Sequence, residues 1–125
     1  MILGVGLDVV DTARVAGALA AHGRRFEQRV YTGTELADCA QRADRIQALA
    51  ARFAAKEAFL KALGIGLTSG VPLTEIEVMK GDDGQPAVRL GARAAARADE
   101  RGVRHVHLSL SHQPGLAAAV VVLEG

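Results

Sequence analysis

Apolar residues recur along the chain in short blocks, and the spacing within each block predicts either a strand or a helix. Continuous or alternating blocks predict strands over residues 1–10, 74–80, 87–90, 106–111 and 116–123. Apolar residues one turn apart predict helices over residues 12–22, 26–31, 45–63 and 92–101, with another short helix opened by Thr34 and Glu35. Strands in hairpins with helices gathered between them indicate an α+β fold with a mostly antiparallel sheet.

The longest predicted helix spans residues 45–63, with Asp44 expected to cap its start and Gly64 to end it. On a helical wheel its large apolar side chains fall within about 40° of one direction, a stripe expected to face the core. Glu57 lies inside this stripe, where a carboxylate must be paired, metal-bound or neutral. Lys61 follows one turn later, and an ordinary Glu57–Lys61 pair on the helix edge is the alternative interpretation.

A second carboxylate, Asp8, interrupts the apolar run of the first strand, which is otherwise predicted to be buried. It shares a strand face with Gly4 and Gly6, and we expect these glycines to leave room for a ligand. A strand-end or turn Asp is the alternative interpretation. If the fold brings Asp8 and Glu57 together near Lys61, the group has the composition of a Mg²⁺ and phosphate site.

A third candidate is the polar run Ser109-Leu110-Ser111-His112 near the end of the sequence. In a strand, Ser109 and Ser111 share one face with His105 and His107, and His112 is expected to begin the turn. Such alternation is typical of a solvent-facing strand side. The functional interpretation is a phosphate or nucleotide contact made by a hydroxyl and an imidazole.

Composition limits what such a chain can enclose. The 125 residues are 50% hydrophobic and only 3% aromatic, which predicts one domain over residues 1–125 with a core of small aliphatic side chains. No repeat, linker or low-complexity stretch divides it. A monomer of this size is not expected to surround a large ligand, so either the ligand is small or subunits share the site.

Charge and motif content exclude several function classes. A net charge of +1 is too small for a dedicated nucleic-acid binder, and the single Cys39 allows no internal disulfide. The lone thiol favours a reducing, cytoplasmic compartment. The apolar runs are too short for a signal peptide or a membrane span, so no membrane association is expected. Neither a P-loop, a complete dinucleotide fingerprint nor a nucleophile elbow is present.

The charge is unevenly distributed between two parts of the chain. Residues 12–61 carry nine Lys and Arg against five Asp and Glu, whereas the remaining residues carry six against nine. An ordinary solvated surface accounts for such an imbalance. The alternative is that the basic helical half binds an acidic partner or a phosphate-rich ligand.

Four segments occur in order along the chain: GVGLDVVDTAR at 4–14, RVYTGTEL at 29–36, RFAAKEAFLKALGIG at 52–66 and LSLSH at 108–112. They resemble the Gly-x-Asp motif, the Arg-x-Phe/Tyr-Thr-x-x-Glu segment, the Lys-Glu-Ala-x-x-Lys helix and the Ser-x-Ser-His strand of bacterial holo-acyl-carrier-protein synthases. These enzymes are the small stand-alone group of 4'-phosphopantetheinyl transferases. The resemblance covers nearly the whole chain.

The resemblance implies a trimer-forming phosphopantetheinyl transferase. Its reaction is transfer of 4'-phosphopantetheine from coenzyme A to a serine of an apo acyl carrier protein, giving 3',5'-ADP, in support of fatty acid or polyketide biosynthesis. Asp8 and Glu57 would hold Mg²⁺, and Lys61 would lie against the pyrophosphate. The serine proton would pass to a metal-bound water or an acidic side chain. The other implied contacts are Arg52, Gly64, Gly66, Ser111 and His112 to coenzyme A, and Arg14, Arg24 and Arg25 to the acidic carrier protein.

Two positions depart from the family's pattern. Ile65 stands where Thr is common, and Gln113 stands where Ser or Thr is common, so each change removes a hydroxyl near the expected ligand. Two other functions fit the same residues. One is a small Mg²⁺-dependent hydrolase of phosphoanhydrides, and the other is a non-catalytic module whose basic helices bind an acidic protein or RNA.

Overall fold

A computed structural model describes all residues from 1 to 125, and its elements confirm the α+β prediction. The strands are β1 (Ile2–Asp11), β2 (Ile76–Lys80), β3 (Pro86–Leu90), β4 (His105–Gln113) and β5 (Leu116–Glu124). The helices are α1 (Thr12–His22), α2 (Arg24–Val30), α3 (Gly33–Ala40), α4 (Arg45–Leu63) and α5 (Ala92–Glu100), with a 3₁₀ turn at Leu73–Glu75. None of the helices is long and apolar enough to cross a membrane.

The strands form two separate antiparallel sheets. Three of them make one sheet in the order β1-β5-β4, and β2 pairs only with β3. The register places Asp8 of β1 opposite Ala119 of β5, and His112 of β4 opposite Ala117. The two polar candidates therefore lie on opposite edges of the three-stranded sheet, with β5 between them.

Helix α4 forms the centre of the molecule. Its predicted bounds are confirmed, but the predicted apolar stripe is too narrow, because 14 of its 19 residues are buried. Alanines at many positions let the strands and neighbouring helices pack closely around it, so nearly every face is covered. A small-residue core thus buries most of this helix.

Strand β1 has one buried and one exposed face. Gly4 and Gly6 face α4, and a Cβ at Gly6 would overlap the carbonyl oxygen of Ala58. The expectation that the two glycines leave room for a ligand is therefore wrong, because the helix backbone fills that space. The predicted burial of the whole strand is also wrong, since its outward apolar side chains remain about 60% exposed: Val5, Leu7 and Val9.

Several local predictions need correction. Thr32, not Thr34, caps α3: its hydroxyl accepts from the amide of Glu35, whose carboxylate accepts in return from the amide of Thr32. The Asp44 side chain makes no capping bond to α4, because it accepts two hydrogen bonds from Arg42. His112 lies within β4 rather than opening the turn, since the ladder to β5 continues to Gln113.

Candidate active site

Asp8 and Glu57 lie close together where β1 crosses α4. Asp8 is 8% exposed, and its Oδ2 atom is buried with no hydrogen-bond partner. Oε1 of Glu57 is likewise buried without a hydrogen bond. Burial and the nearby charge of Asp8 both raise the pKa of Glu57. Two buried carboxylate oxygens without hydrogen bonds are costly unless a cation compensates them.

Two basic side chains border this carboxylate pair. Lys61 donates a hydrogen bond of 2.8 Å to Oδ1 of Asp8 and another of 3.1 Å to the carbonyl oxygen of Leu7. Its bond to Asp8 raises the pKa of Lys61, so the ammonium is retained. Nη1 of Arg14 lies 3.5 Å from Oε1 of Glu57, and its guanidinium lies 5.0 Å above the ring centroid of Phe53.

The donor set fits a hard divalent cation that keeps open positions. The chain has no cluster of three or more His, Cys, Asp or Glu side chains able to enclose a metal. Asp8 and Glu57 instead offer two carboxylates, each with an oxygen that accepts no hydrogen bond, and this number suits Mg²⁺ when water and substrate phosphate supply the other ligands. The helix-edge alternative for Glu57 is wrong, because its structural partner is Arg14 and the side chain is only 15% exposed.

A cleft of about 550 Å³ opens beside α4, β2 and β4. Arg52 lines it, is 8% exposed, and has a buried Nε atom with no hydrogen-bond partner. His112 lines the same cleft, and its ring is oriented by a 3.1 Å contact between Nδ1 and Oε1 of Gln47. Arg42 and Lys80 also line it, so four basic side chains surround a space suited to an anion.

A single chain does not bring together all the residues that are expected to contact coenzyme A and the metal. Arg52 and Glu57 are five residues apart on α4, which separates them by about 140° around the helix. Gly64 follows Arg52 by twelve residues, or roughly 18 Å along the axis, and Gly66 lies beyond it. Ser111 is exposed on the outer face of β4, as the alternation predicted, and does not line the cleft.

The predicted carrier-protein contacts lie on the basic helical surface. Arg24 and Arg25 are exposed in the first turn of α2, and Arg14 is exposed on α1. Ile65 is half-buried and lines a small cavity with Arg97 and Arg101. Gln113 is exposed at the end of β4.

Sequence reasoning missed a pair of residues at the centre of the molecule. Lys56 and Glu35 are both completely buried and form an ion pair of 2.8 Å. The signal for Lys56 was present, because a lysine among Ala54, Ala55 and Ala58 interrupts the small apolar side of α4. Arg42 and Lys80 were also missed, and no local pattern distinguishes them from ordinary surface charges.

The sequence and the fold of this chain both match those of known proteins. The sequence model of the 4'-phosphopantetheinyl transferase superfamily matches residues 4–121. The chain belongs to this superfamily. It is 43% identical over 125 residues to the holo-[acyl-carrier-protein] synthase of Syntrophus aciditrophicus, covering 100% of this chain and 98% of the relative.

Solved structures of superfamily members share the fold. The crystal structure of the Neisseria meningitidis holo-[acyl-carrier-protein] synthase matches with a TM-score of 0.91 and 34% identity, covering 100% of both chains. The Helicobacter pylori enzyme, solved in complex with coenzyme A, matches with a TM-score of 0.84 and 28% identity, covering 96% of this chain and 99% of that one. The resemblance to holo-acyl-carrier-protein synthases is confirmed.

Proposed function

We propose that this protein transfers 4'-phosphopantetheine from coenzyme A to a serine of an apo acyl carrier protein, in support of fatty acid or polyketide biosynthesis. The observation that carries this function is the Asp8–Glu57 pair beside Lys61, in which each carboxylate has a buried oxygen without a hydrogen bond, in a chain of this superfamily. Displacement at a pyrophosphate needs charge neutralisation and alignment more than covalent catalysis. A pair of carboxylates and one lysine supply these requirements.

In the reaction, the serine oxygen bonds to the β-phosphorus and the bond from that phosphorus to the leaving 3',5'-ADP breaks. Asp8 and Glu57 would hold Mg²⁺, which when bound neutralises pyrophosphate charge. Lys61 is 56% exposed on its side chain, so it can turn from Asp8 to the leaving phosphate and donate a hydrogen bond there. The serine proton leaves to an acidic side chain or to solvent at the same site.

Arg52 and His112 bind the 3'-phosphate of the nucleotide in the cleft. Arg52 supports this role best, since its buried Nε lacks a partner and its nearest carboxylate oxygen, on Asp38, is 3.9 Å from Nη2. A phosphate satisfies this guanidinium with charge-assisted hydrogen bonds. Gly64 and Gly66 allow the ligand to approach the backbone after α4, and Ser111 contacts it from an adjoining copy.

The active assembly is a homotrimer with sites between subunits. Arg52 and Glu57 point to different sides of α4, so the nucleotide end bound by one copy meets the carboxylate pair of the next. The outward face of β1 provides an apolar surface for such a contact, because Val5, Leu7 and Val9 are exposed in a single chain. Residues 1–125 form one transferase domain within each cytoplasmic subunit.

The acidic carrier protein docks on the basic helices. Arg24 and Arg25 are exposed and free to meet acidic side chains, and Arg14 links this surface to the reaction site through its contact with Glu57. Opposite charges on the two partners favour fast, oriented encounter.

The deciding experiment combines the protein, coenzyme A and apo carrier protein, with and without Mg²⁺, and weighs the carrier by mass spectrometry. A mass increase of one phosphopantetheine group, absent without Mg²⁺, is expected. Release of 3',5'-ADP at the same rate without carrier protein would instead identify a hydrolase. As a control, Glu57→Gln is expected to lose turnover while still binding the carrier, whereas full activity would favour a non-catalytic role for this residue.

A further inference from the structure

The Lys56–Glu35 pair has every hydrogen-bonding group satisfied. Nζ of Lys56 donates to Oε1 of Glu35 at 2.8 Å, to the carbonyl oxygen of Leu73 at 2.9 Å and to that of Ile76 at 2.7 Å. An ammonium has three donors, and all three are used. The reaction described above makes no use of this pair.

Glu35 extends the same network into β2. Its Oε2 atom accepts a 2.9 Å hydrogen bond from the amide of Val78, while Oε1 accepts from Lys56 and from the amide of Thr32. Both side chains of the ion pair have 0% exposure. Two buried charges therefore join α3 and α4 to the 3₁₀ turn and to the first residues of β2.

These bonds are directional connections between the hairpin of β2 and β3 and the rest of the molecule. The hairpin forms its own two-stranded sheet and has no backbone ladder to the three-stranded sheet. Along β2, the backbone groups of Ile76 and Val78 bond to Lys56 and Glu35. Because these bonds are directional, they define where the strand lies relative to α4 more closely than apolar contact alone would.

This hairpin is one wall of the anion-binding cleft. Val78, Met79 and Lys80 of β2 line it, and Pro86 of β3 does so too. The opposite wall includes Arg52, four residues before Lys56 on α4. A shift of β2 against α4 would therefore change the width of the cleft without moving Asp8 or Glu57.

We propose that the Lys56–Glu35 pair is a positioning device that sets the hairpin wall of the nucleotide cleft and so determines the affinity for coenzyme A. This inference rests on the proposed function. Lys56 and Glu35 touch neither substrate nor reacting atoms, so they act through β2. Their loss weakens coenzyme A binding and leaves the transfer step at the carboxylate pair intact.

The test variant is Lys56→Met combined with Glu35→Gln. Lys56→Met alone leaves a buried carboxylate uncompensated, so it is expected to fold poorly. The double variant leaves no uncompensated charge at positions 35 and 56, yet the carbonyl oxygens of Leu73 and Ile76 lose their donor. We expect the KM for coenzyme A and the dissociation constant of 3',5'-ADP to rise about tenfold, with kcat at saturating coenzyme A within about twofold of wild type.

Tyr31→Phe is the matched control. It removes another buried hydrogen bond to α4, from the Tyr31 hydroxyl to the carbonyl oxygen of Leu49 at 2.8 Å, and it leaves the hairpin bonds in place. We expect lower stability with an unchanged KM for coenzyme A. Amide hydrogen exchange at Val78 should accelerate in the double variant and not in Tyr31→Phe.

An unchanged 3',5'-ADP dissociation constant in a folded double variant would overturn the positioning role. So would a fall in kcat with KM unchanged, which is the pattern of a merely structural loss of active enzyme. If wild-type protein fails to modify the carrier at all, the proposed function fails. Failure of the proposed function can be told apart from failure of the positioning role, because nucleotide binding and Val78 exchange are measured without carrier protein.

Discussion

Nζ of Lys61 lies 2.8 Å from Oδ1 of Asp8, while the other oxygen of the same carboxylate is buried without a partner. The lysine thus neutralises the charge at Oδ1 of Asp8 and leaves Oδ2 without a partner, so that this oxygen can ligate a cation. A divalent ion binding at Asp8 competes with this ammonium for the carboxylate charge.

Replacing Lys61 with methionine should therefore strengthen metal binding while weakening catalysis. We expect Lys61→Met to bind Mn²⁺, used as a spectroscopic substitute for Mg²⁺, about threefold more tightly, because the competing charge is gone. Turnover should fall by about 100-fold through loss of the hydrogen bond to the leaving phosphate. Lys61→Arg keeps the positive charge and should leave Mn²⁺ affinity near that of wild type. Weaker Mn²⁺ binding to Lys61→Met would contradict competition.

Removing the charge of Glu57 should stabilise the protein in a pH-dependent manner. The pKa of Glu57 is raised above its ordinary value of 4.5 by burial and by Asp8, so the folded state holds the proton more strongly than the unfolded state. The stability that protonated Glu57 contributes is fully present below pH 4.5, and it is lost as the pH rises through the pKa of Glu57 in the folded state. In metal-free buffer, Glu57→Gln should therefore be more stable than wild type at neutral pH.

Urea unfolding from pH 4 to 8 measures this difference. The advantage of Glu57→Gln should disappear as the pH falls to about 4.5, and Mg²⁺ should stabilise wild type more than the variant. A stability difference that stays constant over the whole pH range would show that the effect does not come from ionisation of Glu57.

Gly6 is required for the close approach of β1 to α4. A Cβ there would overlap the carbonyl oxygen of Ala58 and lie 2.8 Å from the amide nitrogen of Ala62. Since both atoms belong to the buried helix backbone, Gly6→Ala should cost at least about 2 kcal/mol of unfolding free energy. Gly17 is the control: nothing lies within 4 Å of its Cβ position in α1, so Gly17→Ala should stabilise by about 0.5–1 kcal/mol. Equal effects of both changes would refute the packing argument.

The outward face of β1 should carry the contact between subunits. Val5 is 58% exposed in the single chain, and Val5→Glu places a charge on this apolar surface. Light scattering coupled to gel filtration should show a trimer for wild type and a folded monomer with little activity for the variant. Ala20→Glu changes an exposed position on α1 and should leave the trimer intact. A wild-type monomer with full activity would refute the shared site.

Local sequence signals predicted well where a local interaction decides the structure. Gly64 ends α4 with φ of 75°, a left-handed conformation that favours glycine, so the helix end was predictable. The start of α4 was placed at the correct residue for an incorrect reason, because Asp44 accepts hydrogen bonds from Arg42 instead of capping the helix. The Arg42 side chain and the backbone amides of the first turn of α4 compete for the Asp44 carboxylate, and capping propensity alone does not decide which donor binds it.

The candidate site was predictable at positions where a charged side chain interrupts an apolar segment. Asp8 and Glu57 stood out because each interrupts an apolar segment, and the fold brings them together. The meaning of Gly4 and Gly6 was not predictable in the same way. A glycine predicts close approach of some group, and only the packing of β1 on α4 shows that the group is a helix backbone.

The sequence by itself determined the element order, the ends of α4, the α+β class and, through its motifs, the superfamily. These features depend on residues near one another in the chain or on motifs read directly. Only the tertiary structure decided that Lys56 pairs with Glu35, 21 residues away, and that α4 is buried on nearly every face. The energy of a buried charge depends on the groups that surround it in space, and chain folding alone brings those groups together.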